Sequence, residues 1–332
     1  MTVDATTARQ FARISLMTVA AVYFLILVGG VVRASGAGMG CPDWPTCFGQ
    51  WVPPTDVSQL PADYQQRYAD RGYADTAFNP VKTWTEYLNR LTGVSIGLLI
   101  LTTAWRSRHY RSADPKVFYG ALVTLGLVMF QAWLGSAVVA SNLKPFIITL
   151  HMLLALVIVC LLIYVASRAQ QSLWQQPDMH RLPARFRTVL LWVMAMTVLQ
   201  IIMGTQVREA VDVIANEHDY IERQFWRDDF PVIFYVHRSF SALILFLHLW
   251  LGWQLVKTFD KGQVLYRLGL LLPALVVTGI LAGVSLDRLG FPAVAQPVHL
   301  LMANLIFGGQ FFLALLLHDG RDKVVKIVMV ES

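Results

Sequence analysis

The chain has 332 residues, of which 56% are hydrophobic and only 14% charged, and its mean hydropathy is +0.52. A soluble domain carries nearer a quarter charged residues, so the composition excludes an ordinary soluble protein. The formal charge of +6 does not call for nucleic acid, because the basic residues collect between apolar stretches, as membrane topology requires.

Eight apolar stretches are long enough to be membrane-spanning helices: 14–32, 84–105, 117–139, 146–167, 188–207, 232–256, 268–286 and 297–317. They predict an all-α, polytopic integral membrane protein. With the N-terminus inside, the inner segments hold 16 Lys and Arg against 7 acids, and the rest of the chain holds 11 against 14. Both termini are therefore expected in the cytoplasm. The first stretch has small residues after it, in "VVRASGAG", as a signal peptide would. Its apolar run is longer than a signal core, and its end recurs later in the chain, so a retained helix is expected.

The first outer loop, 34–83, contains "GCPDWPTCFG" with Cys41 and Cys47. Outside the cytoplasm a pair at this spacing reads as a disulfide. The alternative is a thiol pair that binds metal or exchanges electrons. Cys160, in the middle of the 146–167 stretch, reads as a buried, inert thiol.

The chain repeats itself. "LVGGVVR" (27–33) and "IIMGTQVR" (201–208) each place Gly-x-x-Val-Arg at an expected outer boundary. Gly135 and Gly283, Asn89 and His237, and His151 and His299 are all separated by 148 positions, whereas Arg33 and Arg208 are separated by 175. The 27 extra residues fall in the first outer loop. The expected architecture is two pseudo-symmetric four-helix bundles, 1–167 and 188–332, joined by a cytoplasmic linker at 168–187.

His237 and His299 lie near the outer starts of their helices, at a similar depth. One histidine in a membrane helix can be a satisfied core residue. Two facing each other suit a haem iron, which accepts an imidazole on each side. No Cys-x-x-Cys-His is present, so haem b fits better than covalent haem. Arg33 with Arg90, and Arg208 with Arg238, put two guanidinium groups at the outer rim of each half, where propionates would need them. Interfacial snorkelling is the alternative. His248 lies three turns below His237, but its repeat position is Ile100. His109, His180, His218 and His318 fall in loops or at a helix end.

With "GGVVRASGAGMGCPDWPTCFG", "EYLNR" (86–90) and the two histidine-led helix starts, the chain closely resembles the haem A synthase family from about residue 14 to 318. The resemblance implies oxidation of the ring-D methyl group of haem O to a formyl group, giving haem A for terminal oxidases. It also implies a substrate haem in the N-terminal half and a permanent haem b, on His237 and His299, in the C-terminal half. In the family the first string reads Glu-x-x-His-Arg. Glu86 is then the expected catalytic acid, and a carboxylate solvated at the surface or paired with Arg90 is the alternative. Asn89 departs from the pattern, since an amide oxygen ligates haem iron poorly. His151 is expected to hold the substrate iron, with water, Asn89 or nothing opposite. Lost catalysis, or a substitution involving Tyr87, would also account for the departure.

The partners implied are haem O delivered by a haem O synthase, an unidentified electron donor or acceptor, and the bilayer of a bacterial cytoplasmic (inner) membrane; a homo-oligomer is left open. The rival readings are a b-type electron-transfer cytochrome with one or two haems and no catalysis, and a transporter built on the same repeats.

Overall fold

The computed structural model describes residues 3–170, 181–218, 226 and 228–330. Apart from a single β-bridge between Cys47 and Gln50, its regular structure is helical. The elements are α1 (Ala5–Ala34), the short α2 (Tyr64–Arg67), α3 (Pro80–Arg106), α4 (Pro115–Ala140), α5 (Pro145–Ala169), α6 (Phe186–Glu217), α7 (Val232–Thr258), α8 (Val264–Arg288) and α9 (Ala295–Val330). The eight long helices fall on the eight expected stretches. Seven of them are long and apolar enough to cross a membrane. The eighth, α3, falls short because Lys82, Glu86, Asn89 and Arg90 occupy its first three turns.

The helix starts follow from local chemistry. Asp4, Asn79 and Asp114 cap α1, α3 and α4 through their side chains, and Pro80 and Pro115 open the last two, where a missing N–H costs nothing. One boundary differs from expectation. α6 runs to Glu217, about ten residues beyond 207. Val211, Ile214 and Ala215 recur at helical spacing and are buried with Trp226, Phe230 and Phe234. Arg208 therefore lies inside a helix and not at its end.

The chain divides into two compact units, Met1–Val165 and Ala166–Ser332. The first unit buries Val22 of α1, Ile96 and Ile100 of α3, and Ile158, Val159 and Leu162 of α5. A buried hydroxyl pair, Thr18 to Thr103 at 2.8 Å, ties α1 to α3. The second unit buries Phe186, Leu190 and Val193 of α6 against leucines of α7, α8 and α9. There α7 and α8 meet at Gly252 and Gly269. A Cβ on Gly252 would lie 2.4 Å from the Gly269 carbonyl oxygen, so only glycine permits this approach.

The loop between α1 and α3 folds into a cap with its own core. The Cys41–Cys47 disulfide is formed. Phe48 is buried edge-on to Tyr64, Tyr68, Tyr73 and Phe78, with centroids 5.2–6.3 Å away, contacts worth about 0.5–1.5 kcal/mol each beyond burial. Hydrogen bonds fasten the cap to the helices on both sides. The Tyr87 hydroxyl donates to Trp51 O at 2.6 Å on the α3 side. At the α4–α5 turn, Asn142 Nδ2 donates to Asp70 O at 2.8 Å.

Candidate functional site

In the second unit α7 and α9 bring His237 and His299 together, with ring centroids 6.3 Å apart and planes at 70°. Glycines make room for both rings. A Cβ on Gly204 would stand 3.2 Å from His237 Cε1, and one on Gly283 would stand 3.2 Å from His299 Cε1. His299 Nδ1 donates to Gly279 O at 2.8 Å. A carbonyl only accepts, so the proton is on Nδ1 and the Nε2 lone pair is available to a metal. His237 Nδ1 is buried without a hydrogen-bond partner, and Gln200 Nε2 donates to the His237 carbonyl at 2.9 Å.

Two imidazoles that faced one metal at a bond of about 2 Å would have ring centres about 6 Å apart. The His237–His299 pair has that separation. Among the described residues no three His, Cys, Asp or Glu side chains gather as a bare metal site. The donor set is two imidazoles, which would suit a haem iron.

His248 has different chemistry. It is fully buried, its Nδ1 donates to Ile244 O at 2.7 Å, and its Nε2 lies 2.8 Å from Gln310 Nε2. Gln310 Nε2 also reaches Thr197 Oγ1 at 2.8 Å. Both ring nitrogens are engaged, so His248 is a core histidine in a polar network and has no lone pair for iron. The sequence reading missed that network, because nothing in an apolar helix singles out a neutral Gln or Thr. His218 pairs with Asp229 at 2.9 Å. His109 is exposed. His180 lies outside the described residues.

The rim arginines of this unit have protein partners. Arg208 pairs with Asp212 at 2.8 Å, one turn on. Arg238 approaches Asp287 at 3.9 Å and lies over the rings of Tyr235 and Phe234.

In the first unit, His151 of α5 packs against α4. A Cβ on Gly135 would be 3.4 Å from His151 Cε1, and Gln131 Nε2 donates to the His151 carbonyl at 3.0 Å. Buried polar atoms without a partner here include Trp84 Nε1 and Asn89 Oδ1 on α3, Gln131 Oε1 on α4 and His151 Nδ1 on α5. Such orphans are costly unless something binds them, as a substrate would. Arg33 is half-buried in the last turn of α1.

Glu86 and Arg90 are brought together with the disulfide loop. Glu86 is 4% exposed. Its Oε2 accepts the Cys41 N–H at 2.7 Å, and its Oε1 pairs with Arg90 at 2.5 Å. Arg90 also donates to the carbonyls of Asp43 at 2.7 Å, Thr46 at 3.0 Å and Cys41 at 3.3 Å. Beside this clamp Gly40 lies against α3, where a Cβ would be 2.4 Å from Lys82 O. Tyr73 donates to Met39 O at 2.8 Å, and burial, assisted by the Glu86 charge, pushes its phenol pKa up. The Glu86–Arg90 pair was foreseeable as an i,i+4 contact. Its docking onto a loop 45 residues away was not.

The sequence profile of COX15-CtaA, described as cytochrome oxidase assembly protein, matches residues 12–311. The chain belongs to this family. Among curated COX15-CtaA relatives, the heme A synthase of Shouchella clausii is 22% identical over 94% of this chain and 98% of its own length. That of Alkalihalophilus pseudofirmus is 24% identical over 91% of this chain and 96% of its own. The heme A synthase of Shewanella oneidensis is 32% identical, over 44% of this chain and 42% of its own length.

Proposed function

We propose that this protein is a haem A synthase, an oxidoreductase that converts the ring-D methyl group of haem O to a formyl group, with its two units dividing the work. The second unit would hold haem b between His237 and His299, and the first would receive haem O on His151. The observation that carries this reading is the difference between the units. One contains two imidazoles at the separation of a shared metal. The other has His151, with Asn89 at the position that matches His237 in the repeat and its side-chain oxygen unpartnered, a weaker hold suited to a substrate that must leave.

When bound, haem b would supply one-electron transfer. The chain's residues would hold and orient the groups involved. The Gly279 carbonyl holds the His299 proton on Nδ1, so Nε2 faces the metal. Gly135, Gly204 and Gly283 leave the rings space to stay in place. Glu86 is proposed as the acid–base group, held ready by the Cys41 amide and Arg90. The same contacts make it an anchor of the disulfide loop. Two substitutions separate these roles. Glu86→Gln keeps an acceptor for Cys41 and removes the base, whereas Glu86→Ala removes both.

The arrangement is proposed to lie in a bacterial cytoplasmic membrane with both termini inside, as the basic segments indicate. Haem O would come from a haem O synthase, and a separate electron partner would complete the cycle.

The test is haem extraction from cells that make haem O but no haem A. Expression of the chain should yield haem A, and Glu86→Gln should yield little. If haem O persists unchanged while the protein is purified with its haem b, the chain is a cytochrome and the synthase reading fails.

A further inference from the structure

Arg90 is committed to Glu86 and three loop carbonyls, which leaves Arg33 alone of the expected pair for the two carboxylates of a substrate haem, one cation short in the first unit. Further cations line a cleft of about 390 Å³ between the cap and α4, where Arg67, Arg71 and Trp44 face Ser136, Val139 and Ala140. Two acids also border the cleft. Asp43 is occupied by its own turn, accepting from the Thr46 hydroxyl at 2.6 Å, the Phe48 N–H at 2.6 Å and the Gly49 N–H at 2.7 Å. Asp70 is exposed and 3.5 Å from Arg71 Nε. Arg71 Nη1 donates to Ala140 O at 2.5 Å, which fixes the guanidinium at the rim of α4. The Arg67 guanidinium lies 5.8 Å from the Tyr68 ring centre and, among the described residues, has no acid partner. With two arginines and two aspartates the cleft has no net formal charge, but its carboxylates are engaged by the turn and by Arg71, which leaves Arg67 without an acid partner there.

Its register is also apt. On α4, Gly135 marks the level of His151, and Val139 and Ala140 lie four and five residues further towards the cap. At 1.5 Å per residue this is about 6–8 Å, comparable to the reach from a haem iron to its propionates. Arg67 and Arg71 belong to the outer loop that is 27 residues longer than its counterpart in the second half.

We propose that Arg67 and Arg71 form the carboxylate-recognition subsite for the incoming haem, so that the cap reads the two propionates of haem O. This rests on the reading of the first unit as the substrate half. Trp44 and Val139 give the cleft apolar surface between these cations and the membrane-embedded ring. Arginine suits the task, because its planar fork meets a carboxylate with two hydrogen bonds.

The test titrates purified full-length protein, with haem b in place, with haem O and with its dimethyl ester, in which both carboxylates are masked. Wild type should bind the free acid tighter than the ester by about 10- to 100-fold, as charge-assisted pairs in a partly dry cleft allow. In Arg67→Ala/Arg71→Ala that ratio should fall towards one, with ester affinity and the haem b spectrum unchanged. Arg67→Lys/Arg71→Lys should recover part of it. A double alanine variant that keeps the wild-type ratio overturns the assignment. His151→Ala separates the two levels. If it abolishes haem O binding while the arginine variant keeps the ratio, only the arginine assignment fails. If it leaves haem O affinity unchanged, substrate is not held in the first unit, and both ideas fall.

Discussion

Replacing Glu86 by Ala should loosen the cap, and the size of the effect follows from its contacts. The substitution strands the Cys41 N–H and takes the carboxylate from Arg90, both at a buried junction. Removing one partner of a buried ion pair costs about 3–5 kcal/mol. Arg90 keeps three carbonyl acceptors, which lowers the expected cost to about 2–4 kcal/mol. Cys41 and Cys47 are each 0% exposed, so a reductant reaches the disulfide only when the cap opens. At a tenfold change per 1.4 kcal/mol, reduction by a water-soluble phosphine should accelerate about 30- to 800-fold, provided the cap recloses faster than it is reduced. Glu86→Gln, which retains one acceptor, should accelerate it about 5- to 30-fold, equivalent to about 1–2 kcal/mol. An Ala variant reduced within threefold of the wild-type rate would show that Glu86 does not hold the loop.

Other substitutions probe the remaining geometry. Gly283→Val places branched carbons where even a Cβ would be 3.2 Å from His299 Cε1, and should abolish the low-spin haem b spectrum, whereas Gly262→Val, with open space around it, should not. His248→Leu should leave that spectrum unchanged but lower thermal stability by about 0.5–1.5 kcal/mol, because Gln310 Nε2 loses one of its two partners in the core and keeps Thr197; a lost spectrum would make His248 a ligand candidate. Tyr73 has a raised phenol pKa, so its contribution to cap stability should be complete below the unfolded value near pH 10 and decline as pH rises towards the folded one. Cap opening followed by limited proteolysis should show this decline, and Tyr73→Phe should remove that part of the pH dependence.

The helical architecture was legible because seven of the long helices carry a clear hydropathy signal and α3 a weaker one, and the cysteine pair because a six-residue spacing in one loop is a local fact. The histidine pairing was legible through the repeat, which supplied the missing distance information. The extension of α6 was not, since Arg208, Glu209 and Asp212 hid the helical spacing of Val211, Ile214 and Ala215 from a search for apolar runs. The environment of Arg90 was also hidden. Its acceptors are backbone carbonyls of residues 41–46, and no side-chain pattern advertises a carbonyl. Arg67 and Arg71 carry no pattern of their own in the sequence, and only the fold of the cap brings them to the end of α4.

The division of labour between the units is tested most directly by haem content in single histidine variants, purified from cells that supply both haem b and haem O. His237→Ala and His299→Ala should each lose the six-coordinate b-type spectrum while the protein still binds haem O. His151→Ala should keep that spectrum and lose haem O. If His151→Ala removes haem b, or if both His237→Ala and His299→Ala retain it, the assignment of the permanent haem to the second unit is wrong.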